Sequence, residues 1–245
     1  MDTPDFRRRP SLKAPWIMAM QWHDLAFLHW PVSTDRLRSH IPARLELQTY
    51  DGAAWLGVVP FLMRGVRVRG LPALPGTGAF AELNLRTYVI ADGKPGVWFF
   101  SLDAASRLAV RIARRTFHLP YFDATMKVAT TDGQIEYSST RTEHPPGNFH
   151  CRFGPKSDVF YAAAGSIEHW FTERYCLYAA DPRDRVYRGE IQHKPWPLQL
   201  GQCEIQTNTI ASQLGIELPT RPAYVHFAKR LDVVAWYLRP LTNVP

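Results

Sequence analysis

The stretch Glu82-Leu83-Asn84-Leu85-Arg86-Thr87-Tyr88-Val89 alternates polar and largely apolar side chains with a period of two. In an extended strand that period sends Glu82, Asn84, Arg86 and Tyr88 to one face and Leu83, Leu85, Thr87 and Val89 to the other. The row can grip a small anion and move a proton. Arg86 offers a fork that matches a carboxylate, and Glu82 can serve as a general base. Downstream, Val97-Trp98-Phe99-Phe100-Ser101-Leu102-Asp103 is almost wholly apolar before Ser101 and Asp103, the pattern of a strand buried on both faces. If even residues of the first strand pair with odd residues of the second, Ser101 and Asp103 stand beside Asn84 and Arg86. Polar groups next to a buried strand are expensive unless they satisfy one another or hold a ligand. Two readings stay open: Glu82 and Arg86 neutralise each other on a solvated face, or the row lines a pocket inside a curved sheet.

Other chemistry-bearing patterns are sparse. His-Glu-x-x-His, Cys-x-x-Cys, Gly-x-x-x-x-Gly-Lys and Gly-x-Ser-x-Gly are all missing. Gly76-Thr77-Gly78-Ala79-Phe80-Ala81 imitates a dinucleotide fingerprint, but it leaves a proline-rich loop and opens a strand instead of a helix. The nine histidines show no metal-ligand spacing, so no metal and no cofactor is expected. Cys151, Cys176 and Cys203 are odd in number and widely spaced, which fits reduced thiols in a cytoplasmic protein. The net charge of +7 admits a polyanion partner. Arg107, Arg111, Arg114 and Arg115 share the exposed part of a helix whose apolar stripe is Ala105, Leu108, Ala109 and Ile112. A solvated basic face is the plain meaning, and an anion-binding edge the sharper one. Nucleic-acid binding would want aromatic residues interleaved with these charges, and none are.

The elements that must position these groups read as hairpins. Asp51-Gly52, Ala91-Asp92-Gly93 and Asp132-Gly133 each separate apolar runs, a strong turn signal. Strands are expected near 22–30, 44–50, 53–69, 80–90, 97–103, 124–131, 134–142, 175–180, 184–192, 198–210 and 223–238. Short helices are expected after Pro31, over Ala104–Thr116, and from a Ser166 cap to about Arg174. Eight Trp, ten Tyr and 13 Phe suit half-buried sheet surfaces. The 20 prolines and 15 glycines are scattered as turn punctuation, no repeat divides the 245 residues, and no apolar run is long enough for a membrane span. The expectation is a basic leader over 1–14 followed by one domain over 15–245. The class is α+β, predominantly antiparallel β, with two or three helices.

Trp22-His23-Asp24-Leu25, Asp51-Gly52-Ala53-Ala54-Trp55, Glu82-x-Asn84-x-Arg86-Thr87-Tyr88-Val89 and Trp98-Phe99-Phe100-Ser101-Leu102-Asp103 resemble the YqjF-like family. Leu119-Pro120-Tyr121, Thr172-Glu173-Arg174-Tyr175 and His193-x-Pro195-Trp196-Pro197-Leu198 extend the resemblance over most of the chain. That group is an uncharacterised family whose fold is similar to acetoacetate decarboxylase. The resemblance implies a cone-shaped β-barrel around a small-molecule cavity with helices outside. It also implies that the decarboxylase's lysine pair should fall just before Leu119. Arg114-Arg115 stands there, and a guanidinium cannot condense with a carbonyl.

The combined reading is a cavity for a small anionic metabolite, lined by Glu82, Asn84, Arg86, Ser101 and Asp103, with Tyr88, Trp98 and Tyr121 closing the apolar walls. Glu82 is the candidate acid/base group. The alternatives are a Schiff-base lyase recruiting Lys127, or a polyanion or partner protein held by the arginine face at 107–115. Whether His193 reaches the cavity, and whether the chain forms homo-oligomers, stays open.

Overall fold

The computed structural model describes residues 14–72 and 78–241; residues 1–13 of the expected leader and the first two residues of the Gly76-Thr77-Gly78 motif lie outside them. Among the described residues thirteen strands make one sheet: β1 Met18–Val32, β2 Glu46–Leu47, β3 Ala54–Val68, β4 Ala79–Ala91, β5 Lys94–Ala104, β6 Tyr121–Thr131, β7 Gln134–Arg141, β8 Asn148–Pro155, β9 Cys176–Ala180, β10 Val186–His193, β11 Gln199–Asn208, β12 Tyr224–Ala235 and β13 Arg239–Pro240. Helices α1 Thr34–Arg38, α2 Arg107–Phe117 and α3 Ile167–Thr172 lie between them.

Local sequence accounts for the punctuation. In all three Asp-Gly turns both residues have positive φ: Asp51 and Gly52, Asp92 and Gly93, Asp132 and Gly133. This is the geometry of a tight hairpin turn whose twist matches its strands. Ser106 Oγ caps α2 by accepting from Ala109 N at 3.3 Å, and Ser166 Oγ caps α3 by accepting from His169 N at 3.3 Å. Helix α2 begins three residues later than the pattern suggests. Leu102 to Ala104 are held in β5, where they pair with Tyr121 to Asp123 of β6 as well as with β4.

The sheet closes on itself. Pairing of β4 with β5 completes a nine-stranded barrel in the order β5-β6-β7-β8-β11-β12-β1-β3-β4. Pairing of β10 with β12, and of β9 with β5, closes a second ring over β1, β3, β4, β5, β9, β10 and β12. The five strands β12-β1-β3-β4-β5 therefore form a wall common to both. On one face of that wall, Leu83, Leu85, Leu28, Leu56 and Phe227 pack against Ile135, Tyr137, Phe149 and Phe153, filling the nine-stranded barrel with a dense core. On the other face Met20, Leu25, Phe27, Val59, Phe61 and Met63 meet Trp196, Val233 and Ala235, and here space remains. Strand β8 was not among the expected elements; its alternation Phe149, Cys151, Phe153 is real but short, and Pro145 and Pro146 precede it.

Candidate ligand cavity and family

The second ring encloses a cavity of about 220 Å³. Glu82, Asn84 and Arg86 line it from β4, as the period of two requires, while Leu83 and Leu85 point into the packed barrel. The pairs Phe61–Glu82, Val59–Asn84 and Gly57–Arg86 set these groups at successive rungs of β3–β4.

Glu82 is 2% exposed. Tyr121 Oη, from the start of β6, donates to its Oε2 at 3.1 Å, and Tyr137 Oη donates to its backbone oxygen at 2.7 Å. Burial pushes the carboxyl up to about 8; the Tyr121 hydrogen bond pulls the other way, and the Asp103 charge adds to the rise. Glu82 is thus a neutral acid near pH 7, able to donate as well as accept. Asn84 is 5% exposed, and its Oδ1 has no hydrogen-bond partner among the described residues.

Arg86 has its guanidinium over the Phe27 ring, 5.0 Å from the centroid, and 5.7 Å from that of Tyr88. Its Nη2 donates to Tyr88 Oη at 3.4 Å, whereas buried Nε has no partner. No ion pair joins Arg86 to a carboxylate among the described residues. Tyr88 Oη also lies 2.6 Å from His29 Nε2. Burial, with the Arg86 charge second, holds His29 well below the usual range, so Nε2 of a neutral ring accepts from the phenol. Gly57 makes this approach feasible: a Cβ there would sit 3.2 Å from His29 Nε2 and 3.4 Å from Arg86 Cγ.

Arg174 lines the cavity as well. It is 3% exposed, donates from Nε to Trp170 O at 2.7 Å and from Nη1 to Gln48 Oε1, and stacks over Trp170 and Tyr88. Burial lowers its pKa to about 10, leaving it charged. Arg86 and Arg174, with the exposed Arg67 and a neutral acid, give the site positive character, since Glu190 is held by Lys94 and Arg188. Among the described residues no group of three His, Cys, Asp or Glu side chains converges as a metal site.

The structure corrects several expected placements. Leu85 pairs with Ser101 but Arg86 pairs with Phe99, so Phe100 forms a bulge that reverses the facing of β5 midway. Beyond it Ser101 and Asp103 share the Leu83–Leu85 face, inside the nine-stranded barrel. Gln213 Nε2 donates to Ser101 Oγ at 3.0 Å, and Asp103 forms a fully buried ion pair with Arg141, Nη2 to Oδ1 2.7 Å. Trp98 pairs with Thr87 and packs against that same core. Tyr88 lies behind the cavity wall among Trp55, Trp170 and Phe171 and touches the site through Arg86 and Arg174. Lys127 is exposed on the β6–β7 hairpin opposite Ser138, and among the described residues no lysine lines the cavity. Arg114, where the resemblance places a lysine, is exposed on α2, donating to Tyr121 O and pairing with Glu143 at 2.5 Å.

His193 does line the cavity, donating from Nδ1 to Lys194 O at 2.7 Å and stacking on Tyr175. Sequence reasoning missed Arg174 and Trp22 as lining groups; the Trp22 Nε1 donor has no partner among the described residues. The only signals for either were the motifs Trp22-His23-Asp24-Leu25 and Thr172-Glu173-Arg174-Tyr175.

Residues 19–232 match the family model DUF2071, described as an uncharacterized conserved protein. The chain belongs to this family. It is 47% identical over 224 residues to the uncharacterized protein YqjF of Bacillus subtilis, covering 91% of this chain and 92% of that one. Solved structures place the family fold. Acetoacetate decarboxylase from Legionella pneumophila superposes with a TM-score of 0.63 at 13% identity, over 96% of this chain and 94% of that one. The enduracididine biosynthesis enzyme MppR complexed with pyruvate superposes with a TM-score of 0.62 at 12% identity, over 96% and 95%. The family member described here therefore has the acetoacetate decarboxylase-like fold, a mostly-strand barrel with three helices. None of its described helices is long and apolar enough to cross a membrane.

Proposed function

We propose that the chain binds a small carboxylate-bearing metabolite in the second ring, with Arg86 as the anchor. The observation that carries this reading is the Arg86 guanidinium itself: it lines a cavity and, among the described residues, its buried Nε has no partner and it meets no carboxylate. A guanidinium fork is complementary to a carboxylate, and the second cation, Arg174, adds to the attraction. Asn84 Oδ1 and Trp22 Nε1 supply an acceptor and a donor for other polar atoms of the ligand. MppR, of the same fold, has been solved with pyruvate, itself a carboxylate.

Glu82 is the group for proton transfer. Neutral at pH 7 and hydrogen-bonded to Tyr121, it can give a proton to a carbonyl or enolate oxygen and take it back. Schiff-base chemistry finds no support, because among the described residues the cavity has no lysine. The partner in this proposal is the small anion; nucleic acid and membrane have no part in it.

The test is a thermal-shift screen of metabolic carboxylates and keto acids on wild type and Arg86→Ala. A ligand that raises the melting temperature of wild type and leaves the variant unmoved is the expected result. Equal shifts in both proteins remove Arg86 as the anchor.

A further inference from the structure

The polar groups that β4 gives to the cavity lie toward one end of the strand, while Arg67, Glu190 and His193 line it from β3 and β10. Along β4 the rungs run from Gly57–Arg86, through Val59–Asn84 and Phe61–Glu82, to the wholly apolar Met63–Phe80. Arg86 and Phe80 are separated by six residues of extended strand, about 20 Å along β4 at ~3.4 Å per residue. Over the Phe80 end, Met18 and Met20 join from β1, and Phe117 of α2 lines the cavity from its packing beside Leu102 and Leu119. Thioether chains are unbranched and adapt to the shape of an apolar guest. Helix α2 presents Ala109 and Ala113, whose small side chains leave room above Phe117. At the rim Val68 and Ile112 line the cavity while being 43% and 40% exposed, beside the exposed Arg67.

A short hydrated acid bound at Arg86 would leave this apolar end facing water. We infer that the ligand is an amphipathic monocarboxylic acid, its carboxylate at Arg86 and an unbranched alkyl or aryl body lying against Met18, Met20, Met63, Phe80 and Phe117. The inference rests on the carboxylate reading of Arg86 and adds to it the chemical class of the remainder of the ligand. Burying apolar body against apolar wall supplies most of the affinity, and the guanidinium sets the orientation.

The experiment is isothermal titration of the protein with straight-chain acids from acetate to dodecanoate, with pyruvate and octanamide alongside. Affinity should rise by about fourfold per added methylene until the apolar end is filled, then level off. Octanamide should bind more weakly than octanoate. Ala113→Phe, which fills space beside Phe117, should bring the levelling-off to a shorter chain. Acetate or pyruvate binding as tightly as octanoate would overturn the amphipathic ligand while leaving the Arg86 anchor standing. Octanamide matching octanoate would instead overturn the anchor. No binding of octanoate or of any longer acid would overturn the inference outright. The wild-type series decides these outcomes by itself, so they survive a failure of Ala113→Phe to fold.

Discussion

Tyr121 Oη donates to Glu82 Oε2 at 3.1 Å, tying the first residue of β6 to the middle of β4. The two groups come from opposite sides of the α2 excursion, so the bond exists only because β5 pairs in parallel with β6 and brings Tyr121 beside Leu102. It leaves Glu82 with one solvent-shielded partner, too little to offset its burial, and the carboxyl stays protonated up to about 8.

Stability should therefore depend on pH through Glu82. A carboxyl whose pKa is raised on folding holds its proton in the folded chain after the unfolded chain has lost it. That contribution is complete below the ordinary glutamate value of 4.5 and is lost as pH rises through about 8. The decline is at most about 1.4 kcal/mol per pH unit. Urea unfolding of wild type and Glu82→Gln between pH 6 and 8 isolates it, because Asp103, pushed up by burial to about 6, titrates lower. The variant should lose most of the slope in this window; an unchanged slope would mean that Glu82 ionises in the ordinary range.

Affinity for a carboxylate should weaken over the same upper window. Ionised Glu82 would add a negative charge to the cavity that also holds Arg86 and Arg174. Titrations from pH 6 to 9 should show wild-type affinity falling as pH passes about 8, with Glu82→Gln flat. A flat wild-type profile would separate Glu82 from the ligand.

Much of this site was legible in the chain and part was not, for identifiable reasons. Period-two alternation is local, so Glu82, Asn84 and Arg86 could be assigned a common face, and Asp-Gly turns could be placed from two residues each. The bulge at Phe100 has no such signal. Val97 to Phe100 is uniformly apolar, so nothing in it marks where facing reverses, and Ser101 and Asp103 fell on the wrong side of the wall. Ring closure through β9 and β10 is long-range, which is why Arg174 and Trp22 enter the site from segments that look unrelated to β4.

The Asp103–Arg141 pair belongs to the barrel core and should behave as structure. Both side chains are completely buried, and Arg141 also stacks 4.1 Å from the Phe122 ring centroid. Asp103→Ala leaves a buried guanidinium without its counter-charge and should destabilise the fold by about 3–5 kcal/mol. Chemical denaturation measures the loss. A change under about 1 kcal/mol, within the range of an exposed pair, would show that the pair is hydrated.

Tyr88 positions Arg86 from behind the wall. Tyr88→Phe keeps the ring against Trp170 and Phe171 but removes the oxygen shared by Arg86 and His29. The expected result is a loss of about 1–3 kcal/mol in stability from the unsatisfied His29 nitrogen. Ligand affinity should weaken while the ligand's preference for a carboxylate over an amide persists. Loss of that preference would place Tyr88 in direct contact with the ligand.

Gly57 leaves little room for a side chain. A Cβ there would stand 3.2 Å from His29 Nε2, tighter than ordinary contact, and 3.4 Å from Arg86 Cγ, so Gly57→Ala should shift His29, destabilise by about 1 kcal/mol and weaken octanoate binding together. A thermal melt and one titration check both. A variant with wild-type melting and affinity would show that His29 and Arg86 are free to move apart.

The most direct test of the anchor is a cycle of four dissociation constants. Wild type and Arg86→Gln are each titrated with the tightest straight-chain acid and with its amide. A charged hydrogen bond contributes about 1.5–3 kcal/mol, so wild type should prefer the acid by roughly tenfold or more. Arg86→Gln should bind acid and amide alike. An acid preference that survives intact in Arg86→Gln would contradict the account, and would move the carboxylate to Arg174 or out of the cavity.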